Sequence, residues 1–275
     1  MTRFLILDCY DANGRKGLAA ARATPAGELY RDMLLRHRPD ADCDIAFPAD
    51  ADAAIDITGY HALLWTGSSL TIYDDVPEVT RQIELAREAY RRGIPAFGSC
   101  WALQIACVAA GGTCRKNPKG REFGLTRKIT LTAAGRAHAL FAGRAYAFDG
   151  FTSHFDEVES LPANAMVLAG NAATEIQAAD ISHAGGRFIA LQYHPEFDFA
   201  MMAALTRFRD EGLVAEARMK NPQDIQDFID KCEKIDKNPN DFALRFALGA
   251  DDDVLDRQIR ENEFANWLQF GLAEN

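Results

Sequence analysis

An apolar run that halts on Gly98-Ser99-Cys100 and resumes at once as an apolar helix constrains this chain more than any other feature. Gly93-Ile94-Pro95-Ala96-Phe97 reads as a short buried strand, and Trp101-Ala102-Leu103-Gln104-Ile105-Ala106-Cys107-Val108-Ala109-Ala110 as a buried helix. A residue on so sharp a strand-to-helix turn has its side chain exposed above the sheet edge. The positive end of the helix dipole favours a thiolate there, the reactive form of cysteine. Far downstream, Phe188-Ile189-Ala190-Leu191-Gln192-Tyr193 reads as another apolar strand and ends in His194-Pro195-Glu196. Residues two apart in an extended segment point the same way. Glu196 can therefore reach the ring of His194 while His194 faces a thiol.

Each signal alone has a plain structural explanation. A single cysteine behind glycine is commonly a small core residue, and His-Pro-Glu alone is commonly a turn. Together they gain weight, because both fall at the carboxyl ends of predicted strands, where open α/β sheets build their sites.

The chain has 275 residues, enough for one large domain or a domain with an extension. A hydrophobic share of 48% and a charged share of 25% match a water-soluble globular protein. The net charge of -10 argues against a nucleic-acid partner, since no basic stripe is present. No apolar stretch approaches the length of a membrane span. A strand begins almost at once with Phe4-Leu5-Ile6-Leu7, so no signal peptide is expected. Cys9, Cys43, Cys100, Cys107, Cys114 and Cys232 have the spacing of neither a zinc site nor a disulfide framework. A reducing cytoplasm is the expected setting, and no metal or cofactor is called for.

The first half alternates strand-like and helix-like segments. Residues 11–26, rich in Gly, Ala and charge, read as a loop. Residues 28–38 are amphipathic and stop before Pro39. Residues 43–47 and 62–65 read as strands, the latter running into Thr66-Gly67-Ser68-Ser69. After Pro77, which suits a first helical turn, Val79, Ile83, Leu85, Ala86 and Tyr90 form a helical stripe. This alternation implies a parallel sheet with right-handed crossovers. Between residues 112 and 195, short strand-like runs at 127–131, 145–148, 165–169, 175–179 and 187–191 predict an antiparallel addition to the sheet and its closing strands. Residues 199–275 read as helical, broken at Asn238-Pro239-Asn240. Phe228, Ile229, Cys232 and Ile235 mark one apolar face, and Leu255, Ile259, Phe264, Trp267 and Leu268 another. This tail could cap the same domain or serve homo-oligomerisation.

These blocks carry a resemblance to the class I glutamine amidotransferases, the triad glutaminase family that includes the glutaminase domain of GMP synthetase. The family's Gly-x-Cys-x-Gly-x-Gln stands here as Gly98-Ser99-Cys100-Trp101-Ala102-Leu103-Gln104, and its His-Pro-Glu as His194-Pro195-Glu196. Its oxyanion turn, usually Ser-Gly-Gly-Pro, corresponds to Thr66-Gly67-Ser68-Ser69, followed by Tyr73-Asp74. Ser153-His154-Phe155-Asp156, with Val158 and Leu161-Pro162, is similar to the family's Ser-His-x-Asp-x-Val segment, and Ile176-Gln177-Ala178 to the strand after it. The resemblance covers about residues 1–200. It implies a flavodoxin-like three-layer α/β/α sandwich over 1–200, with 201–275 a helical extension. Ala102 and Ser68-Ser69 depart from the family's glycines and proline. The added methyl of Ala102 could tighten the pocket, and a positive φ at Ser68 would carry a cost that glycine avoids.

The resemblance implies amide cleavage by a Cys100–His194–Glu196 triad. Cys100 attacks a γ-carboxamide carbon and forms a γ-glutamyl thioester. His194 moves the proton, and Glu196 fixes its tautomer and balances its charge. The backbone N–H groups of Ser68 and Trp101 would hold the oxyanion, one such donor being worth about 3 kcal/mol. Gly67, Gln104 and His154 would line the site of the glutamyl head. Other candidates weigh less. Cys9 ends a strand near the same edge but has no base beside it in sequence. His183 reads as solvated. Asp251-Asp252-Asp253 fits a helix cap better than a metal site. No glycine pair is followed by the Lys-Ser/Thr of a phosphate loop. With no synthase domain visible, a free-standing amidase that hydrolyses glutamine or another γ-glutamyl amide is the leading expectation. The alternatives are a glutaminase subunit feeding ammonia to a separate synthase, and a non-catalytic binding protein on the same fold.

Overall fold

The computed structural model describes residues 2–51 and 54–272. In chain order its elements are β1 (Arg3–Leu7), α1 (Ala12–Ala20), α2 (Ala26–His37), β2 (Asp42–Ala46), β3 (Ala62–Trp65), α3 (Pro77–Arg92), β4 (Ala96–Ser99), α4 (Trp101–Ala109), β5 (Thr113–Lys116), β6 (Glu122–Leu131) and α5 (Ala133–Ala137). A turn of 3-10 helix (Ala139–Phe141) leads to β7 (Ala147–His154), β8 (Asp156–Ser160), β9 (Ala165–Gly170), β10 (Ala178–His183) and β11 (Gly186–Leu191). The remainder is helical: α6 (Phe199–Phe208), α7 (Asp210–Ala215), α8 (Pro222–Lys237), α9 (Phe242–Leu248), α10 (Asp252–Leu255), α11 (Arg257–Arg260) and α12 (Asn262–Phe270).

Nine strands form one sheet in the order β2-β1-β3-β4-β11-β10-β9-β6-β7. From β2 to β11 the neighbours are parallel, and from β11 to β7 they are antiparallel. The parallel half is apolar on both faces, as a sheet covered twice must be. Leu5, Leu7, Leu63 and Trp65 face one layer with residues of α3 and α4. Their alternates Phe4, Ile6, Leu64 and Phe97 face the other, with Tyr30 and Met33 of α2. The last helix belongs to that second layer. Phe264 and Trp267 of α12 lie 5.4 and 5.3 Å from the Phe97 ring, aromatic contacts that each add about 0.5–1.5 kcal/mol beyond area burial. Glu261, just before α12, is fastened to α2 by Arg36 at 2.6 Å and His37 at 2.8 Å. A third apolar cluster joins α6 to α8 through Met202, Leu205, Ile225, Ile229 and Cys232. The three-layer sandwich with C-terminal helices is therefore present.

Two local expectations fail. Residues 11–26 are not a loop, because α1 occupies most of them. Asp11 caps that helix by accepting from the Gly14 N–H at 2.7 Å, and its alanines favour helix. The glycines that suggested a loop are points of close approach. A Cβ on Gly17 would sit 2.5 Å from the Phe208 ring of α6. The second miss is the ribbon of β5 and β8, separate from the main sheet. These strands are short and their exposed polar residues hide the alternation that would have marked them.

Candidate active site

β4 ends at Ser99 and α4 begins at Trp101, so the chain reverses on Cys100 alone. Its backbone sits at φ 55 and ψ -100, a conformation costing a non-glycine residue on the order of 1–3 kcal/mol. The surroundings hold it there. The Cys100 N–H donates to the Leu191 carbonyl of β11 at 2.7 Å, and the Cys100 carbonyl accepts from the Leu103 N–H at 3.0 Å. Gly98 lets helix and strand close up, since a Cβ there would fall 2.3 Å from the Trp65 carbonyl oxygen and 2.4 Å from the Ala102 Cβ. The extra methyl of Ala102 is thus used against the strand. Ala102 is fully buried and does not line the pocket.

β11 runs parallel beside β4 and brings His194 to the same edge. The His194 N–H donates to the Phe151 carbonyl at 2.9 Å, and its ring stacks on Phe197 with centroids 3.8 Å apart and planes 6° from parallel. Nδ1 lies 2.7 Å from Glu196 Oε1, and the Cys100 thiol is one of the groups that raise the ring's pKa. Gly67 backs onto both groups, with a hypothetical Cβ 3.1 Å from His194 Cε1 and 3.8 Å from Cys100 Cβ. Two further members of the network escaped the sequence reading. The Ser99 hydroxyl donates to Glu196 Oε1 at 2.7 Å, and the Tyr30 hydroxyl of α2 donates to Ser99 Oγ at 2.8 Å. Glu196 Oε2 is buried with no hydrogen-bond partner among the described residues.

Burial disfavours the charged form of the His194 ring. The Glu196 carboxylate and the neighbouring Cys100 thiol outweigh it, and the pKa stands raised at about 9. At neutral pH the ring therefore carries a proton.

The Thr66–Ser69 turn is tied to the end of β1. Thr66 Oγ1 accepts from the Cys9 N–H at 3.0 Å, and Ser68 Oγ donates to the Cys9 carbonyl at 2.9 Å. Ser68 does not adopt a positive φ, so the side chains that replace the family's Gly-Pro carry no such backbone strain. No protein acceptor takes the Ser68 N–H among the described residues, and the Trp101 N–H opens α4, where helices leave donors free. The Trp101 indole is locked by Gln82 Oε1 at 2.9 Å.

Ser68, Cys100, Trp101, Gln104 and His154 line one pocket of about 120 Å³. Within it, Gln104 Nε2 donates to the Asp156 carbonyl at 3.3 Å. Both ring nitrogens of His154 are already engaged, by the Asp156 carbonyl at 2.9 Å and Glu122 Oε2 at 3.0 Å. His154 is therefore a fixed wall with no ring nitrogen to spare for a ligand. Burial raises the Glu122 pKa, but His154 and the hydroxyl and amide donors around it bring it down to about 2. Two charged residues unmarked in the sequence reading, Arg121 and Arg209, also reach this pocket, as does Asp156 of the Ser-His-x-Asp segment. Asp156 carries the Tyr73 hydroxyl at 2.8 Å, and Arg121 is doubly bonded to Glu216 at 2.7 and 2.9 Å.

Cys9 also ends a parallel strand, but its thiol is fully buried and donates to the Leu7 carbonyl at 3.3 Å. Burial, together with the Asp8 charge, pushes that thiol well up. Asp251 caps α10 by accepting from the Asp253 N–H, and His183 is exposed beside Tyr90. Among the described residues no cluster of His, Cys, Asp and Glu is placed to hold a metal ion, and no helix is long and apolar enough to cross a membrane.

The family model described as glutamine amidotransferase class-I matches residues 46–205. Among curated relatives, a γ-glutamyl-L-1-hydroxyisopropylamide hydrolase from Pseudomonas sp. is 34% identical over 219 residues, covering 78% of this chain and 74% of its own. A glutamine-hydrolysing GMP synthase from Thermosipho africanus is 28% identical over 219 residues, covering 77% of this chain. The match spans only 40% of that synthase's length. A solved glutamine amidotransferase from Methylobacillus flagellatus superposes with a TM-score of 0.66 at 18% identity, covering 98% of this chain and 94% of its own. One from Thermotoga maritima superposes at 0.64 and 16% identity, covering 95% and 97%. These two likenesses concern the fold.

Proposed function

Since the chain belongs to the class I glutamine amidotransferase family, we propose that it hydrolyses the γ-amide of γ-glutamyl compounds through Cys100, His194 and Glu196. The observation carrying this reading is the strained elbow. A cysteine at φ 55 follows β4, and the neighbouring β11 leads to a histidine whose Nδ1 lies 2.7 Å from a buried carboxylate. Strain of this kind is characteristic of functional residues. In the proposed cycle the Cys100 thiolate attacks the γ-carbonyl carbon and the oxyanion turns toward the Ser68 and Trp101 N–H groups. His194 gives its proton to the leaving amine nitrogen as the C–N bond breaks. It then takes a proton from water, which attacks the thioester and releases glutamate and the free thiol.

The substrate class follows from two supports. The Pseudomonas relative acts on a γ-glutamyl alkylamide, and the chain spans three quarters of that relative but only 40% of the Thermosipho synthase. Substituted γ-glutamyl amides are accordingly the preferred substrates, with glutamine a slower one. The test is glutamate release by the isolated chain from glutamine, a γ-glutamyl dipeptide and a γ-glutamyl hydroxyalkylamide. Turnover of the substituted amides supports the reading. Inactivity on all of them, relieved only by a synthase from the same cell, replaces it with an ammonia-supplying subunit, the reading that the GMP synthase relatives favour.

A further inference from the structure

α6 begins three residues after Glu196, with Asp198 as its cap, and runs away from the triad. The residue that ends it points back. Arg209 lines the same pocket as Cys100 and Trp101, and its Nε donates to Ser153 Oγ of β7 at 3.1 Å. Its guanidinium also lies 5.3 Å from the Phe208 ring. Among the described residues no carboxylate stands within ion-pair distance of it. The other guanidinium of the pocket, Arg121, is by contrast already held by Glu216. A guanidinium offers donors in a planar fork matched to a carboxylate. Ser153 occupies Nε alone, which leaves the terminal nitrogens of Arg209 for a ligand. Arg209 also stands beyond residue 205, where the family match ends.

We propose that Arg209 is the residue that receives the α-carboxylate of the γ-glutamyl group, making the C-terminal segment part of substrate recognition. The inference deepens the reading above and rests on it for the identity of the substrate. A carboxylate here could come from the glutamyl head or from the leaving amine, as in a γ-glutamyl dipeptide. The head is the better source because every γ-glutamyl substrate carries it, whereas alkylamines carry no second carboxylate. A cation held this close to the nucleophile could instead act on the thiolate, and the test separates the two.

The experiment compares alkylation of Cys100 by two reagents. A diazo-ketone analogue of glutamine carries the α-carboxylate and has no amine leaving group. Iodoacetamide carries neither. Second-order rate constants are measured for the wild-type chain, Arg209→Met and Arg209→Lys, with the labelled cysteine identified by peptide mapping. The expected result is a roughly 10- to 100-fold loss with the diazo-ketone in Arg209→Met, the usual size for a lost charge-assisted hydrogen bond. Iodoacetamide labelling should stay within about twofold, and Arg209→Lys should fall between. Equal slowing with both reagents assigns Arg209 to the thiolate or to the fold and overturns the inference. So does no slowing with either, or a loss confined to turnover of γ-glutamyl dipeptides. Because labelling needs no turnover, a chain that hydrolyses nothing yet shows the carboxylate-dependent loss would sink the hydrolase reading and keep Arg209 in its role.

Discussion

Two cysteines follow strands of the parallel half-sheet, β1 and β4, with β3 between them, and they differ in conformation and in partners. Cys9 follows β1 in an ordinary conformation, buried, bonded to a carbonyl and displaced toward the neutral thiol. Cys100 follows β4 at a positive φ, near enough to the His194 imidazole to help raise its pKa. Both positions satisfy the rule that sites form at the carboxyl ends of parallel strands. Position is thus insufficient. The elbow sets Cys100 on the wall of the pocket, and β11, beside β4 and not β1, delivers the base.

The sharpest way to break this contrast is to exchange the two. Cys100→Ala should lower turnover by roughly 10⁴-fold or more, while Cys9→Ala keeps it within about twofold at moderate temperature. Loss of labelling in Cys9→Ala would move the nucleophile and undo the triad assignment. Next in size is Glu196→Gln. It should reduce kcat/KM by roughly 10²- to 10⁴-fold while Cys100 stays alkylatable and the circular dichroism unchanged. Unaltered turnover would mean that Ser99 and Tyr30 orient His194 without the carboxylate.

The contrast also has a pH signature. The working form needs the proton on His194, whose pKa of about 9 lies above the ordinary 6.5. Activity should therefore persist through neutral pH and fall as pH rises through about 9. In Glu196→Gln that alkaline limb should move downward. A limb that stays fixed would assign it to another group. The same sign applies to stability. A raised histidine pKa contributes fully below about 6.5, and that contribution is lost as pH climbs toward 9. The smallest expected effects are structural. Gly98→Ala, forced against the Trp65 carbonyl, should cost about 1–3 kcal/mol in denaturant unfolding. Cys9→Ala, which removes one buried sulfur, should cost on the order of 1 kcal/mol.

How much of this could be read beforehand depended on whether the signal was local. Gly98, Cys100, His194 and Glu196 announced themselves because each sits at the end of an apolar run, and the pleat relates residues two apart. Arg209 gave no such sign. It ends an ordinary amphipathic helix, and only the return of α6 toward β7 brings it to the pocket. Ser99 and Tyr30 are joined across most of a sheet layer, and the stacking of Phe197 on His194 needs a bend that composition does not reveal. α1 was hidden because its glycines serve packing against Phe208, a contact made far along the chain. His154 shows the converse difficulty. A polar residue beside the site looked free to bind, until Glu122 and the Asp156 carbonyl were found to hold it.

The helix that closes the second layer under β4 also sets the order in which this molecule can assemble. Phe97 is covered by Phe264 and Trp267, which leave the ribosome long after it. Until they arrive, one face of the nucleophile strand lacks its aromatic lid. Contacts so distant in sequence close slowly, because a long loop must lose its entropy first. The Cys100 elbow is held against strain only by finished packing, so a competent nucleophile should be among the last properties to emerge. A nascent chain would then carry its nucleophile in a harmless form until folding is complete.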